Sequence, residues 1–230
     1  VDGPLVVLLH GFPEFWYGWR HQIPILADAG YRVVIPDQRG YNRSDVPEAV
    51  AAYDLDLLTA DVRSLIAAAG RERAHVVGHD WGAMVAWRLA MTHPTWIRRL
   101  AILNVPHPHV FQRTLLRNPS QLLRSAYAFF FQLPWVPEWL LGRNRGEGLA
   151  TLLRWSGHPD AGSEADLEPY RQAWSRPGRV RGMLHWYRAA ARRAVRGSAG
   201  EGRIAVSTLV VWGAKDAALS RRMAAPSAEL

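Results

Sequence analysis

The stretch that most constrains this chain is residues 75–83, which read HVVGHDWGA. A short β-branched run enters a Gly-x-Asp-x-Gly turn, and an alanine-rich helical pattern follows. That is the layout of a nucleophile elbow, a sharp strand-to-helix turn that exposes its central side chain. Gly78 and Gly82 flank the turn because Cβ atoms there would collide as strand and helix approach each other.

The residue at the tip of this turn is Asp80. A serine would need a base to activate it, whereas an aspartate with a reference pKa of about 3.9 is already anionic at neutral pH. Asp80 is therefore suited to attack carbon directly and form an ester. The alternative is a glycine-rich βα turn in which Asp80 only caps the helix.

Composition narrows the function classes. The 230 residues, 49% of them hydrophobic, suffice for one large domain, or one domain with an insertion. The absence of cysteine excludes disulfides, thiolate metal sites and a cysteine nucleophile, and agrees with a cytoplasmic protein. No spacing of His, Asp and Glu resembles a metal site, and we expect no cofactor.

The net charge of +8 comes almost entirely from arginine, since Lys215 is the only lysine. The arginines are scattered and form no basic stripe with interleaved aromatics, so we expect no nucleic-acid partner. The most apolar window, residues 126–141, is interrupted by two prolines and two polar residues. It is not a membrane span, and we expect no membrane partner.

Strand and helix patterns alternate through the first part of the chain. Buried strands are predicted at 5–9, 32–35, 75–77 and 99–103, with helices at 54–69 and 83–91. This order is typical of a parallel, doubly wound α/β sheet.

The alternation of strand and helix patterns ends after residue 104. Residues 105–202 contain helix-like pieces and no convincing buried strand, and the sheet resumes at 206–212. We predict a first core part at 1–104, a helical cap at 105–202 and a second core part at 203–230. Five cap tryptophans are expected to pack the cap onto the sheet: Trp135, Trp139, Trp155, Trp174 and Trp186.

Four motifs now combine. HGFPE follows the first strand at 10–14, DQRGYNRSD occupies 37–45, GHDWGA forms the elbow and NVPHP begins at 104. With the inserted cap and an acid after a late strand, they resemble the epoxide hydrolases of the α/β-hydrolase fold, over residues 5–220. The resemblance implies a mostly parallel α/β sheet with a helical cap inserted after a central strand. It also implies hydrolysis of small apolar epoxides, with water, to vicinal diols.

The resemblance also assigns roles. Asp80 resembles the nucleophile, and Asp216 resembles the acid that orients a catalytic histidine. The backbone N–H groups of Phe12 and Trp81 resemble the oxyanion hole, and the hydroxyls of Tyr127 and Tyr187 resemble the donors to the epoxide oxygen. The resemblance also implies a substrate-binding lining, made of Phe12, Pro13, Trp81, Tyr127 and Tyr187. A phenol with a pKa near ~10 stays protonated at neutral pH and can donate to a developing alkoxide. The alternative is that each tyrosine is only a packing residue of the cap.

The sequence departs from the family pattern in one chemical respect. None of its nine histidines follows Asp216, and two strands that usually precede residue 5 are absent. We therefore expect a fragment at both ends that reacts once with an epoxide but turns over poorly. His79 is a poor candidate base, because adjacent side chains on an elbow diverge.

Two other functions stay open. A haloalkane or haloacid dehalogenase would also use an aspartate nucleophile, but many haloalkane dehalogenases carry Asn at the position of Phe12, and the two tyrosines favour an epoxide. A non-catalytic binding module would keep the pocket without turnover. The full set of Asp80, Tyr127, Tyr187 and Asp216 argues against it.

Overall fold

The structure, a computed structural model, describes residues 2–156, 163–195 and 202–230. Its sheet has five parallel strands in the order β2-β1-β3-β4-β5. The strands are β1 Leu5–Leu9, β2 Arg32–Val34, β3 Ala74–His79, β4 Ile97–Leu103 and β5 Thr208–Val211. The prediction of a parallel α/β sheet is confirmed.

Helices account for most of the remaining described residues. The sheet is accompanied by α1 Gln22–Asp28, α2 Leu55–Ala68, α3 Trp81–Thr92 and, near the end, α10 Ala224–Ala228. Between β4 and β5 lie α4 Pro108–Arg117, α5 Pro119–Arg124, α6 Ala126–Phe130, α7 Val136–Ser156, α8 Glu164–Trp174 and α9 Arg179–Val195. Short 3-10 turns occur at Trp16–Trp19, Val50–Tyr53, Pro94–Trp96 and Arg221–Met223. None of the described helices combines the length and apolarity needed to cross a bilayer.

The region between β4 and β5 matches the predicted cap in kind. Its described residues form helices and no strand, and α7 is broken at residues 143–146. Residues 157–162 and 196–201 of the predicted cap lie outside the described residues. The domain boundaries at 104/105 and 202/203 stay predictions.

The apolar run of β1 is buried on both faces. Leu5, Val7 and Leu9 pack into the large core cluster, while Val6 and Leu8 pack on the opposite face. The predicted strand at 32–35 forms at Arg32–Val34, but the prediction that it is buried is wrong. Strand β2 lies at the sheet edge and is only partly buried, because it has a neighbour on one side alone.

The expectation for the cap tryptophans holds for two of the five. Trp174 and Trp186 are buried, and Trp186 Nε1 donates to the carbonyl of Arg39 in the core at 2.9 Å. Trp135, Trp139 and Trp155 are exposed instead, so the prediction is wrong for them.

The strand register places four strand ends at one edge of the sheet. Leu9 pairs with Gly78, and Leu103 pairs with both His79 and Val211. Strand β2 lies on one side of β1, and β3, β4 and β5 follow on the other side, so the strand order changes direction between β1 and β3. In open α/β sheets, ligands bind in the crevice at such a switch point. The loops after β1, β3, β4 and β5 therefore converge there.

Candidate active site

The predicted elbow is confirmed in its geometry. Asp80 joins β3 to α3 with φ 50° and ψ −122°, a conformation that L-residues adopt at a cost. A Cβ on Gly78 would lie 2.5 Å from the carbonyl oxygen of Gly82. A Cβ on Gly82 would lie 2.2 Å from the carbonyl oxygen of Leu9 in β1. The Asp80 side chain makes no helix-capping hydrogen bond, so the helix-cap alternative is wrong.

The Asp80 carboxylate is held by backbone donors. The N–H of Phe12 donates to Oδ1 at 2.7 Å, and the N–H of Trp81 lies near enough to lower the pKa of the same carboxylate. Gly11 lies so close that a Cβ there would stand 2.2 Å from Asp80 Cβ. The two N–H groups predicted as an oxyanion hole thus meet at one carboxylate.

Burial raises the pKa of Asp80 above its usual value, and the charge of Glu14 adds to this. The nearby His79 and the two backbone N–H groups oppose the rise without cancelling it. The site therefore holds a partly buried carboxylate that keeps a directed hydrogen-bond donor.

A second polar pair, absent from the sequence prediction, lies beside the elbow. His79 Nδ1 stands 3.4 Å from Glu14 Oε2, and the Tyr170 hydroxyl from α8 donates to Glu14 Oε1 at 3.3 Å. Burial disfavours both charges, but their mutual attraction outweighs it, raising the pKa of His79 and lowering that of Glu14. Both residues lie at or after the end of a strand, but only the fold shows that these two strands are neighbours.

The two predicted tyrosines come together over this crevice. Tyr127 on α6 and Tyr187 on α9 have ring centroids 6.0 Å apart. Tyr187 also contacts Trp81 at 4.9 Å, Phe12 at 5.4 Å and Phe131 at 4.9 Å, edge-on in each case. Phe131 was not predicted from the sequence.

Both phenols are poor acids here. Burial raises the pKa of Tyr127 and of Tyr187, and the charge of Asp80 raises them further. They therefore remain protonated at neutral pH and are available as hydrogen-bond donors near the carboxylate.

Pro13 is buried in the loop after β1. Its carbonyl accepts a hydrogen bond from Trp174 Nε1 at 2.7 Å, which ties α8 of the cap to this loop. Its substrate contact stays a prediction.

Asp216 is fixed in the loop after β5. Its Oδ1 accepts from the N–H groups of Ala218 at 2.8 Å and Leu219 at 2.7 Å, and its Oδ2 accepts from the side-chain amide of Asn104. Asn104, at φ 61° just after β4, also accepts from the Gly213 N–H at 3.1 Å. Sequence reasoning missed this clamp, although Asn104 opens the NVPHP motif.

Within the described residues, this site has neither a histidine bonded to Asp216 nor a cluster of metal ligands. None of the described histidines hydrogen-bonds to the Asp216 carboxylate, although His79 lies near enough to feel its charge. Within the same part of the chain, no group of three or more His, Asp or Glu is arranged to hold a metal ion.

Comparison with known proteins agrees with this geometry. The profile of the α/β hydrolase fold family matches residues 4–230. The AB hydrolase superfamily protein YfhM of Bacillus subtilis is 46% identical over 225 residues, which are 97% of this chain and 77% of that protein. Epoxide hydrolase 4 of Mus musculus is 39% identical over 226 residues, 96% of this chain and 62% of that protein.

A solved structure is similar over nearly the whole chain. The crystal structure of Bacillus megaterium epoxide hydrolase in complex with an inhibitor superimposes with a TM-score of 0.87 at 31% identity. The match covers 96% of this chain and 80% of that one. The chain spans about three fifths of the length of the mammalian epoxide hydrolase it matches.

Proposed function

Because the chain belongs to the epoxide hydrolases of the α/β-hydrolase fold family, we propose that it opens epoxides through an ester formed on Asp80. The observation that carries the proposal is the 2.7 Å contact between the Phe12 N–H and Asp80 Oδ1. This hydrogen bond fixes the Asp80 carboxylate at the strained turn, in the crevice that the two phenols also enter.

The first step needs an anion and a proton donor. A carboxylate oxygen of Asp80 bonds to one ring carbon, and the bond from that carbon to the epoxide oxygen breaks. The electron pair stays on the oxygen, which takes a proton from Tyr127 or Tyr187. The raised pKa values of both phenols support their role as donors and exclude a phenolate nucleophile at neutral pH.

The second step uses the two backbone donors. Once the ester forms, its carbonyl oxygen takes the place of the carboxylate oxygen held by Phe12 and Trp81. When water adds to the carbonyl carbon, negative charge develops on that oxygen, where preorganised N–H groups stabilise it most. Collapse of the tetrahedral intermediate breaks its bond to the diol oxygen, which releases the diol and restores the Asp80 carboxylate. Of the two protons of the added water, one goes to the departing diol oxygen and the other returns to the tyrosine phenolate that the first step leaves.

Water needs a base in this second step, and Asp216 would act by orienting one. The family places that histidine after the acid, but none of the nine histidines of this sequence follows Asp216. We therefore propose that these 230 residues, taken alone, form the ester and hydrolyse it slowly.

An apolar epoxide is the favoured substrate. The ring cluster of Phe12, Trp81, Phe131, Tyr127 and Tyr187 offers aromatic contacts and two hydroxyls. A dehalogenase would need donors for a departing halide rather than acids for an alkoxide, and the paired phenols disfavour that function.

The test compares an epoxide, whose leaving group is an alkoxide, with a chloroalkane, whose leaving group is a halide, at equimolar protein and substrate. Consumption of a small aryl epoxide would be followed beside halide release from a chloroalkane of similar size. We expect epoxide consumption and no halide release. Halide release without epoxide consumption would indicate a dehalogenase, and reaction with neither would indicate a binding module.

A further inference from the structure

A buried glutamine of the cap is bonded to the loop at residues 216–220, which we call the acid loop. Gln121 lies on α5 and its side chain is fully buried, which is uncommon for this residue type. Its Nε2 donates to the Ala218 carbonyl at 2.9 Å, and its Oε1 accepts from the Ser220 N–H at 3.1 Å. The same Nε2 also donates to Ser125 Oγ at 3.2 Å. Both the donor and the acceptor ends of the amide are therefore in use.

These bonds reach the turn that fixes the Asp216 carboxylate. The N–H of Ala218 donates to Asp216 Oδ1 at 2.8 Å, while the carbonyl of Ala218 accepts from Gln121. Arg124, one turn further along α5, donates to the Asp216 carbonyl at 3.1 Å and to the Ala217 carbonyl at 3.3 Å. Helix α5 and the acid loop are therefore held together as one unit.

The same glutamine is bonded to the start of the helix that carries Tyr127. Ser125 immediately precedes α6, and Tyr127 is the second residue of that helix. The Ser125 N–H donates to the Gln121 carbonyl at 3.0 Å, in addition to the contact between their side chains. Helix α6 has only five residues, too few for a stable helix on its own. Its position therefore depends on the groups to which its first turn is bonded.

Tyr187 is held from a different part of the core. On α9, the neighbouring Trp186 donates from Nε1 to the Arg39 carbonyl at 2.9 Å, and His185 Nε2 lies 3.0 Å from the Glu48 carbonyl. Both carbonyls belong to the segment that follows β2. The two phenols, whose rings lie 6.0 Å apart, are thus fixed by separate attachments to the core.

We propose that Gln121 is a positioning residue for ring opening, which holds the phenol of Tyr127 at a fixed place relative to the acid loop. Because Gln121 acts through Ser125 and α6, its loss should remove the contribution of Tyr127 and leave that of Tyr187. The proposal rests on the proposed function, since it requires Tyr127 to donate a proton to the epoxide oxygen. It also links the two steps of the reaction, because one side chain fixes both the donor of the first step and the loop that carries the acid of the second.

Single-turnover ester formation in the 230-residue chain, followed by intact mass with a small aryl epoxide, tests this role. Gln121→Met keeps the length of the side chain and removes its hydrogen bonds. We expect ester formation to slow about tenfold, because a displaced donor stabilises the departing oxygen poorly. Gln172→Met is the matched control, since Gln172 is exposed on α8 and bonds to Glu168 there, and it should react like the parent chain. Circular dichroism checks that each variant is folded.

A double-mutant cycle separates positioning of one phenol from general loosening of the cap. In the parent chain, Tyr127→Phe and Tyr187→Phe should each slow ester formation about tenfold. In Gln121→Met, Tyr127→Phe should slow it by less than about twofold more, whereas Tyr187→Phe should keep its about tenfold effect. Ser125→Ala removes only the Oγ contact and is the second variant if Gln121→Met does not fold. It should slow ester formation about threefold and should likewise diminish the effect of Tyr127→Phe alone.

Two results would overturn the role of Gln121 while leaving the proposed function intact. One is ester formation at the parent rate in folded Gln121→Met or in Ser125→Ala. The other is an undiminished effect of Tyr127→Phe in these backgrounds, since the whole cap would then have loosened. Failure of the proposed function is distinct, because the parent chain itself would then form no ester, and the role of Gln121 in ring opening would be wrong with it.

Discussion

The N–H of Phe12 donates to Oδ1 of Asp80 at 2.7 Å, although the two residues are 68 positions apart in the chain. The contact joins the loop after β1 to the turn after β3 at the point where the sheet changes direction. Two adjacent buried strands thus bring the candidate nucleophile and a candidate oxyanion donor together.

The close approach of these loops makes Gly11 irreplaceable. In Gly11→Ala the added Cβ would lie 2.2 Å from Asp80 Cβ. We expect a loss of about 2 kcal/mol in the free energy of unfolding, because the backbone must move, and no ester formation. Urea unfolding and epoxide consumption measure the two effects.

Gly202→Ala is the matched control, since a Cβ there would meet only Met91, at 3.8 Å. It should unfold like the parent chain. Equal stability of Gly11→Ala and Gly202→Ala would contradict the close packing around Asp80.

The buried charge of Asp80 should cost stability. Folding raises its pKa, so the folded state binds the proton more tightly than the unfolded state, and stability falls as pH rises through these pKa values. We expect Asp80→Asn to gain about 1 kcal/mol at neutral pH and to lose the gain below about pH 4. Urea unfolding at both pH values tests this, with exposed Asp45→Asn as the control. A destabilised Asp80→Asn at neutral pH would contradict the prediction.

The two phenols should matter for ring opening and little for binding apolar ligands. Tyr127→Phe combined with Tyr187→Phe removes both proton donors while keeping both rings, and we expect ester formation to slow roughly 100-fold or more. Single-turnover epoxide consumption gives the rate. Tyr53→Phe is the control, because its hydroxyl donates to the Pro47 carbonyl away from Asp80. A double variant as fast as the parent would remove both tyrosines from the mechanism.

The Glu14–His79 pair should stabilise the fold within a limited pH window. The raised pKa of His79 gives stability that is complete below its usual 6.5 and lost as pH rises through the folded value. The lowered pKa of Glu14 gives stability that is complete above its usual 4.5 and lost as pH falls. The coupling between them should therefore peak between these two values.

A double-mutant cycle with Glu14→Gln and His79→Gln measures this coupling. We expect about 1 kcal/mol near pH 5.5 and much less near pH 9, since the imidazole is partly exposed and screened. The exposed pair Arg145–Glu168 should show no such change over this range. An equal Glu14–His79 coupling at both pH values would show that the pair is not ionic.

The sequence predicted the parts of the fold that local rules determine. Gly78 and Gly82 mark the elbow because no other residue fits between strand and helix there, and the apolar run of β1 reflects burial on both faces. The position of Asp80 follows from this elbow pattern, whereas the candidate roles of Phe12 and Trp81 come from the resemblance to epoxide hydrolases; the structure brings the three residues together.

What could not be predicted depends on contacts between distant segments. The Asn104–Asp216 clamp and the Glu14–His79 pair join loops that are neighbours only in the folded sheet. The exposure of Trp135 is a different case, because an apolar residue in a sequence favours burial but does not specify which surface would bury it. The apolar pattern of the cap therefore predicts burial for Trp135, Trp139 and Trp155, which the structure leaves exposed.

The central claim is that Asp80 attacks the epoxide, and intact mass spectrometry with peptide mapping tests it most directly. After incubation with a small aryl epoxide, the account predicts one added epoxide mass per chain, located on the peptide that contains Asp80 and absent in Asp80→Asn. An adduct on another residue, equal labelling of Asp80→Asn, or steady diol release without any adduct would contradict it.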